Sequence, residues 1–135
     1  MSILKVESLS VSFKQYTAGL KQIDHKVISS LNVTLEAGEI LAVVGASGSG
    51  KSLLAHAILG ILPSNASDSG VITFEGEELT PARKKEVRGK EIALVPQSVN
   101  FLDPLMRVGS QVRTSVNKGD AVKAQRAVFE RFHLR

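Results

Sequence analysis

Residues 45–52 read Gly45-Ala46-Ser47-Gly48-Ser49-Gly50-Lys51-Ser52, and they decide the fold. An apolar run precedes them (Ile40-Leu41-Ala42-Val43-Val44) and another follows (Leu53-Leu54-Ala55). The octet fits G-x-x-x-x-G-K-[ST] in full, and strand before, helix after is the setting in which that pattern cradles phosphate. Glycines let the backbone curl so that successive N–H groups point inward at phosphate oxygens. A helix starting near Gly50 adds the positive end of its dipole. Lys51 brings a mobile cation for the β and γ phosphates, and the Ser52 hydroxyl is a ligand for Mg²⁺.

Working outward, Ile3–Phe13 alternates imperfectly and reads as a strand with a slip, a bulge, near Ser8. Lys14–Lys26 is polar, contains Gly19 and reads as a loop; Val27–Leu35 alternates at Leu31, Val33 and Leu35 and reads as a second strand. After the turn Glu36–Glu39, Ile40–Val44 is apolar on both faces, the pattern of a buried parallel strand. A helix is expected over Lys51–Leu62, stopped by Gly60 and Pro63. Ser64–Gly70 reads as a loop, Val71–Phe74 as a short strand, Glu75–Glu78 as a turn. Pro81 sits just inside a helix start at Thr80–Arg88, and Glu91–Pro96 reads as another buried strand. Valines at 108, 112 and 116 predict a helix. Asp120 predicts the cap of a last helix, with Ala121, Ala124, Val128 and Phe132 on one face.

The 135 residues fit one domain. Without cysteine there are no disulfides, thiolate metal sites or cysteine nucleophiles. No signal peptide is evident, and the longest apolar stretch, Leu53–Leu62, falls short of the ~20 residues that span a bilayer. The chain thus reads as cytoplasmic. The net charge of +4 comes with scattered basic residues and 4% aromatics, which argues against nucleic acid as a partner. The cluster Arg83, Lys84, Lys85, Arg88, Lys90 reads as a solvated helix face.

Two further motifs bear on the nucleotide. Asn117-Lys118-Gly119-Asp120 fits the N-K-x-D guanine reader, but helical spacing precedes it and no aspartate has glycine three residues on. It reads as a turn between helices. Gln97 follows the expected strand at 91–96, on the sheet edge where open α/β sheets bind ligands. Its amide is suited to ligating Mg²⁺ or orienting a water; taken alone, it also reads as a solvated turn residue.

Leu9-Ser10-Val11-Ser12-Phe13, then Leu35–Ser52, then Glu91–Gln97 followed by Phe101–Val112, resemble the ATP-binding subunit of ABC transporters, most closely the oligopeptide, dipeptide and nickel importer branch. The resemblance covers nearly the whole chain. It implies an α/β P-loop NTPase core with an antiparallel β subdomain. Residues 1–135 would be the N-terminal part of one nucleotide-binding domain, with an incomplete helical subdomain beginning near 105. The family's pattern implies that Gly45, Ala46, Ser47, Gly48, Ser49, Gly50, Lys51, Ser52 and Leu53 contact ATP. Ser52 and Gln97 would hold Mg²⁺, with Lys51 and Gln97 as the catalytic groups present. An aromatic ending the first strand would stack on adenine: Phe13 by position, or Tyr16. Ser98–Val108 would face transmembrane permease subunits. Further partners implied are a second ATP-binding subunit and, indirectly, an external substrate-binding protein. The place implied is peripheral, on the cytoplasmic face of the inner membrane. His25, His56 and His133 match no family site.

Two departures qualify that pattern. Leu53 stands where many relatives carry Thr or Ser against the α-phosphate. The family's LSGGQ-like signature and Walker B Asp-Glu pair are not in these 135 residues, which contain neither a Ser-Gly-Gly nor an Asp-Glu sequence. The chain is therefore expected to bind ATP without hydrolysing it. The 40–44 run is expected to rearrange or to seek a second chain. A small-molecule P-loop kinase, with Arg83–Lys90 as a lid, and an ABC protein working outside transport are the alternatives.

Overall fold

The computed structural model describes all residues except Ala18, Leu20, Asn117 and Arg135, together with the side chain of Val99. They form two compact units, Met1–Ala93 and Leu94–Arg135.

In the first unit a long hairpin joins β1 (Ser2–Tyr16) to β2 (Gln22–Glu36). β3 (Ala66–Phe74) and β4 (Glu77–Glu78) extend the sheet in the order β2-β1-β3-β4, every pair antiparallel. The expected slip at Ser8 is a register shift between Val6 and Leu9, with Ser8 at φ 52°. Skipping a residue there puts Val6, Leu9 and Val11 all in the core. β2 carries its own irregularity at Ser30 (φ 49°). Side chains satisfy both freed amides. Ser8 N–H donates to Asn32 Oδ1 (2.8 Å) and Ser30 N–H donates to Ser10 Oγ (3.0 Å).

Strand pairing reaches further than the sequence pattern predicts. Lys14–Tyr16 and Gln22–Lys26, expected as loop, are paired, and residues 66–70 of the expected loop belong to β3. These segments are polar and mostly exposed, so they carry no apolar alternation. The neighbouring strand supplies their hydrogen bonds, and that context overrides propensity.

Two expected strands do not form. Ile40–Val44 pairs with no strand among the described residues, and Ile40 and Val44 are 96% and 89% exposed. Glu91–Pro96 makes a single parallel bridge, Arg88 to Ile92, and Val95 is 91% exposed. A parallel strand needs neighbours on its edges to satisfy its N–H and C=O groups and cover its faces. The described strands are all engaged in the antiparallel sheet instead, so these two runs stay outside it.

α1 (Lys51–Leu59) lays Leu54 and Ala57 on the sheet, against a core that includes Val6, Leu9, Val11, Ile28 and Phe74. It ends at Leu59, with Gly60 as its C-cap, three residues before the expected Leu62. α2 (Pro81–Val87) begins as expected: Thr80 Oγ1 accepts from Arg83 N–H (3.4 Å), Pro81 opens the first turn, and Val87 joins the core.

The second unit holds a 3₁₀ turn at Val99–Phe101, α3 (Val108–Thr114) and α4 (Ala121–Arg131). Asp120 caps α4 as expected, its Oδ1 accepting from Val122 N–H (2.9 Å) and Lys123 N–H (3.1 Å). Lys118-Gly119-Asp120 therefore lies between two helices, not after a buried strand; Asn117 of that motif is outside the described residues. Arg113 ties the helices by donating to Gln125 Oε1 (3.0 Å). Among the described residues no helix is long and apolar enough to cross a membrane.

Candidate phosphate-binding site

The chain turns into α1 through Ser47–Gly50, with Gly48 at φ 80° and Gly50, the N-cap, at φ 90°. Gly50 meets two constraints at once. Its φ is costly for any other residue, and a Cβ there would press to 3.1 Å against both Val27 Cγ1 and Ile28 Cγ1 on β2. The loop is thus seated directly on the sheet.

Leu53 N–H and Leu54 N–H donate to Gly50 O (3.0 and 3.2 Å), which leaves the N–H groups of Lys51 and Ser52 without an acceptor in the helix, and no acidic residue stands in its first turn. Lys51 Nζ lies against the loop itself, donating to Gly45 O (2.7 Å) and Ala46 O (2.6 Å), with Ser49 Oγ at 3.4 Å. The ammonium is held by neutral carbonyls, which a phosphate anion outcompetes. Free backbone donors, a helix N-terminus and a cation parked at the loop are a donor set that fits a phosphate chain. Ser52 is exposed beside them; Leu53, in place of a hydroxyl residue, packs against the core.

A groove of about 340 Å³ lies beside the loop, with Ile28, Leu31, Val44 and Leu54 making it largely apolar and Lys51 at its polar margin. A phosphate chain would therefore find its donors in the loop's N–H groups and Lys51, not in the groove. No cluster of three or more His, Cys, Asp or Glu side chains suited to a metal occurs among the described residues. Mg²⁺ bound here would take most of its ligands from phosphate and water, as is usual for that ion.

The other expected residues divide. Phe13 pairs with His25 and Ala66 across the sheet and packs on the core, whereas Tyr16 ends β1 with 69% of its surface exposed. Gln97 is exposed in a bend after Pro96, at the end of a segment that is not a strand, and belongs to the second unit.

The basic cluster is not simply a solvated face. Lys85 and Lys90 are exposed, but Arg83 pairs with Glu77 (3.1 Å) and Lys84 with Asp68 (3.7 Å). Arg88 donates through Nε to Leu59 O (3.0 Å) and through Nη2 to Gly60 O (3.1 Å). With Gly60 N–H on Ala57 O and Ile61 N–H on His56 O, this satisfies carbonyls that the end of α1 would otherwise leave open. The guanidinium also opposes the negative end of the helix dipole. One distant side chain thus braces the phosphate-loop helix from behind, a role no motif announces. Arg88→Met is expected to lower stability by about 2 kcal/mol, and Arg88→Lys to recover part of it, in urea unfolding of the two variants beside the parent chain.

A glycine-rich turn between the 40–44 run and α1, with lysine and serine opening the helix, defines a P-loop nucleotide-binding protein. The model of the family described as ABC transporter matches residues 28–134, and the chain belongs to that family. It is 37% identical over 131 residues to the oligopeptide transport ATP-binding protein OppD of Bacillus subtilis, covering 93% of this chain and 35% of that protein. It is 35% identical over 133 residues to the dipeptide transport ATP-binding protein DppD of Lactococcus lactis (90% and 37% covered). It is 40% identical over 93 residues to the metal-staphylopine import system ATP-binding protein CntD of Staphylococcus aureus (66% and 34% covered). The chain spans about a third of the length of these curated relatives.

Proposed function

We propose that the chain binds Mg-ATP through Gly45–Ser52 as part of an ABC-type ATPase that powers import of peptides or nickel. The observation that carries this reading is the loop itself: paired left-handed glycines, open helix donors and Lys51 poised on loop carbonyls. The names of the relatives support the transport class. Residues 1–135 act as the N-terminal part of one nucleotide-binding domain, with a helical subdomain beginning near 105. The family's pattern would have Ser52 and Gln97 hold Mg²⁺, with Lys51 and Gln97 as the catalytic groups present. When bound, Mg²⁺ would supply charge neutralisation of the phosphates. Of the two aromatics, Tyr16 is the one with a free ring to stack on adenine, since Phe13 is engaged with the core. Ser98–Val108 meets permease subunits, a second ATP-binding subunit completes the site, and an external substrate-binding protein delivers the cargo. The assembly lies peripherally on the cytoplasmic face of the membrane.

Turnover needs a carboxylate to position water and complete the metal shell. No Asp-Glu pair supplies it in these 135 residues, so the chain holds ATP without hydrolysing it. Calorimetric titration of Mg-ATP, with phosphate release followed in the same samples, tests this. Saturable heat with no phosphate above the buffer rate is expected. No heat at any concentration would refute binding, and steady release would refute the inactive reading.

A further inference from the structure

The end of α1 away from the phosphate loop borders a second cavity, of about 290 Å³, walled by that helix end, β3 and α2. Lys84, Lys85 and Arg88 line it together with one carboxylate, Asp68, so its lining carries a formal charge of +2 (three cations less one anion). The side chain of Lys84 is only 12% exposed, and its stem packs on Gly60, where a Cβ would come within 2.9 Å of Lys84 Cδ. Its ammonium nevertheless makes no hydrogen bond among the described residues, since Asp68 Oδ2 at 3.7 Å is an ion-pair partner beyond hydrogen-bond reach. An ammonium so placed takes its acceptors from whatever fills the cavity. Arg88 uses one N–H of Nε on Leu59 O and one of Nη2 on Gly60 O, which leaves three of its five donors. The same two bonds fix the guanidinium and cover carbonyls that would otherwise repel an anion at this end of α1. Lys85, exposed, adds a mobile third cation.

The charge selects the ligand. A carboxylate would leave the cavity with a positive charge. A phosphate monoester carries about −1.5 to −2 at pH 7 and presents three acceptor oxygens, which matches both the +2 and the open donors of Lys84 and Arg88. Charge-assisted bonds from these donors are of the strong kind. Leu62 and Pro63 supply an apolar stretch of wall, suited to the body of a small molecule that bears the phosphate.

We propose that Lys84, Lys85 and Arg88 form a second anion site, at the C-terminal end of α1, that binds a doubly charged phosphate group, free or on a small monoester. The nine residues of α1, roughly 13 Å of helix, separate it from the loop Gly45–Ser52, and it does not depend on the function proposed there.

Inorganic phosphate could enter the loop as well, so the test reads the two ends of α1 separately. The ¹⁵N-labelled chain carrying Lys51→Ala is titrated with inorganic phosphate, and the amides of Gly60, Ile61 and Lys85 are followed beside those of Gly48 and Ser52. Saturable shifts at Gly60, Ile61 and Lys85 are expected. Adding Lys84→Met, which keeps the packed stem and drops the charge, is expected to weaken them about tenfold, the loss of one charge-assisted bond. Lys85→Gln, at an exposed position that leaves the fold intact, is expected to weaken them less. Asp68→Asn removes the competing carboxylate and is expected to tighten binding severalfold. That gain separates a binding site from a structural ion pair, because a variant that merely loosened the fold would not bind better. Repeating the titration with glycerol 3-phosphate distinguishes the sources: tighter binding than inorganic phosphate assigns a monoester, equal or weaker binding assigns the free ion. Shifts confined to Gly48 and Ser52, or equal affinities in Asp68→Asn, Lys84→Met and Lys85→Gln, would overturn the second site and leave the nucleotide reading standing. Shifts at Gly60, Ile61 and Lys85 in a chain that takes up no Mg-ATP would support this site and refute only that reading.

Discussion

Lys51→Ala is expected to weaken Mg-ATP binding by at least a hundredfold in calorimetric titration, with the fold retained. The ammonium is the loop's one side-chain cation, and in the structure its partners are two carbonyls and a distant hydroxyl. On phosphate it would exchange those neutral acceptors for anionic oxygens, and each charge-assisted bond contributes about 1.5–3 kcal/mol. Losing two such bonds corresponds to roughly 3–6 kcal/mol, a factor of a hundred or more in Kd. Lys51→Arg keeps the charge but sets a planar fork where a compact cation fits, and is expected to bind less weakly than the alanine variant. The fold should survive because Lys51 is only partly buried and belongs to none of the core contacts. Equal affinity in the parent and Lys51→Ala would place the nucleotide elsewhere.

The second large effect lies away from the loop. Gly70 sits on β3 facing the bulge of β1, at φ 108°, and a Cβ there would lie 2.7 Å from the carbonyl oxygens of both Glu7 and Ser8. Those atoms are backbone and cannot swing aside as a lysine tip would. Gly70→Val therefore combines a forbidden dihedral with two hard contacts, and is expected to cost more than ~3 kcal/mol. Because stability is commonly only about 5–15 kcal/mol, such a loss would leave much of the chain unfolded at 37 °C. Circular dichroism melting of Gly70→Val beside Gly76→Val checks it. Gly76 has nothing within 4 Å of an added Cβ, so its variant carries the dihedral cost without the clash.

What the sequence disclosed follows the kind of signal each element carries. The phosphate loop was legible because it is one contiguous motif whose chemistry fixes residue types at fixed spacing. Local caps were legible for the same reason: Thr80 and Asp120 bond amides two or three residues away. The bulge at Ser8 showed itself as a break in alternation. The two apolar runs misled, because Ile40–Val44 and Glu91–Pro96 state a preference for a buried parallel site and cannot state whether neighbours fill it. The polar ends of β1, β2 and β3 failed in the opposite sense, being strands by virtue of their partners. Arg88 was invisible for a further reason. It acts through backbone carbonyls far along the chain, and a carbonyl leaves no mark in the sequence. Only an arginine with no evident partner could have hinted at it.

The hairpin of β1 and β2 has a bearing on the order of events during folding. Its first contacts form between Tyr16 and Gln22, a short span of chain, and the pairing then zips outward in either register-shifted half. β3 must travel farther, closing onto β1 across the phosphate loop and α1. Closing entropy rises with that span, so local pairing precedes distant pairing. β3 would thus dock late, beside a hairpin already made. Arg88, later still in the chain, would fasten α1 last, so the 45–52 loop and the helix that it opens are expected to be among the final parts of their unit to become rigid.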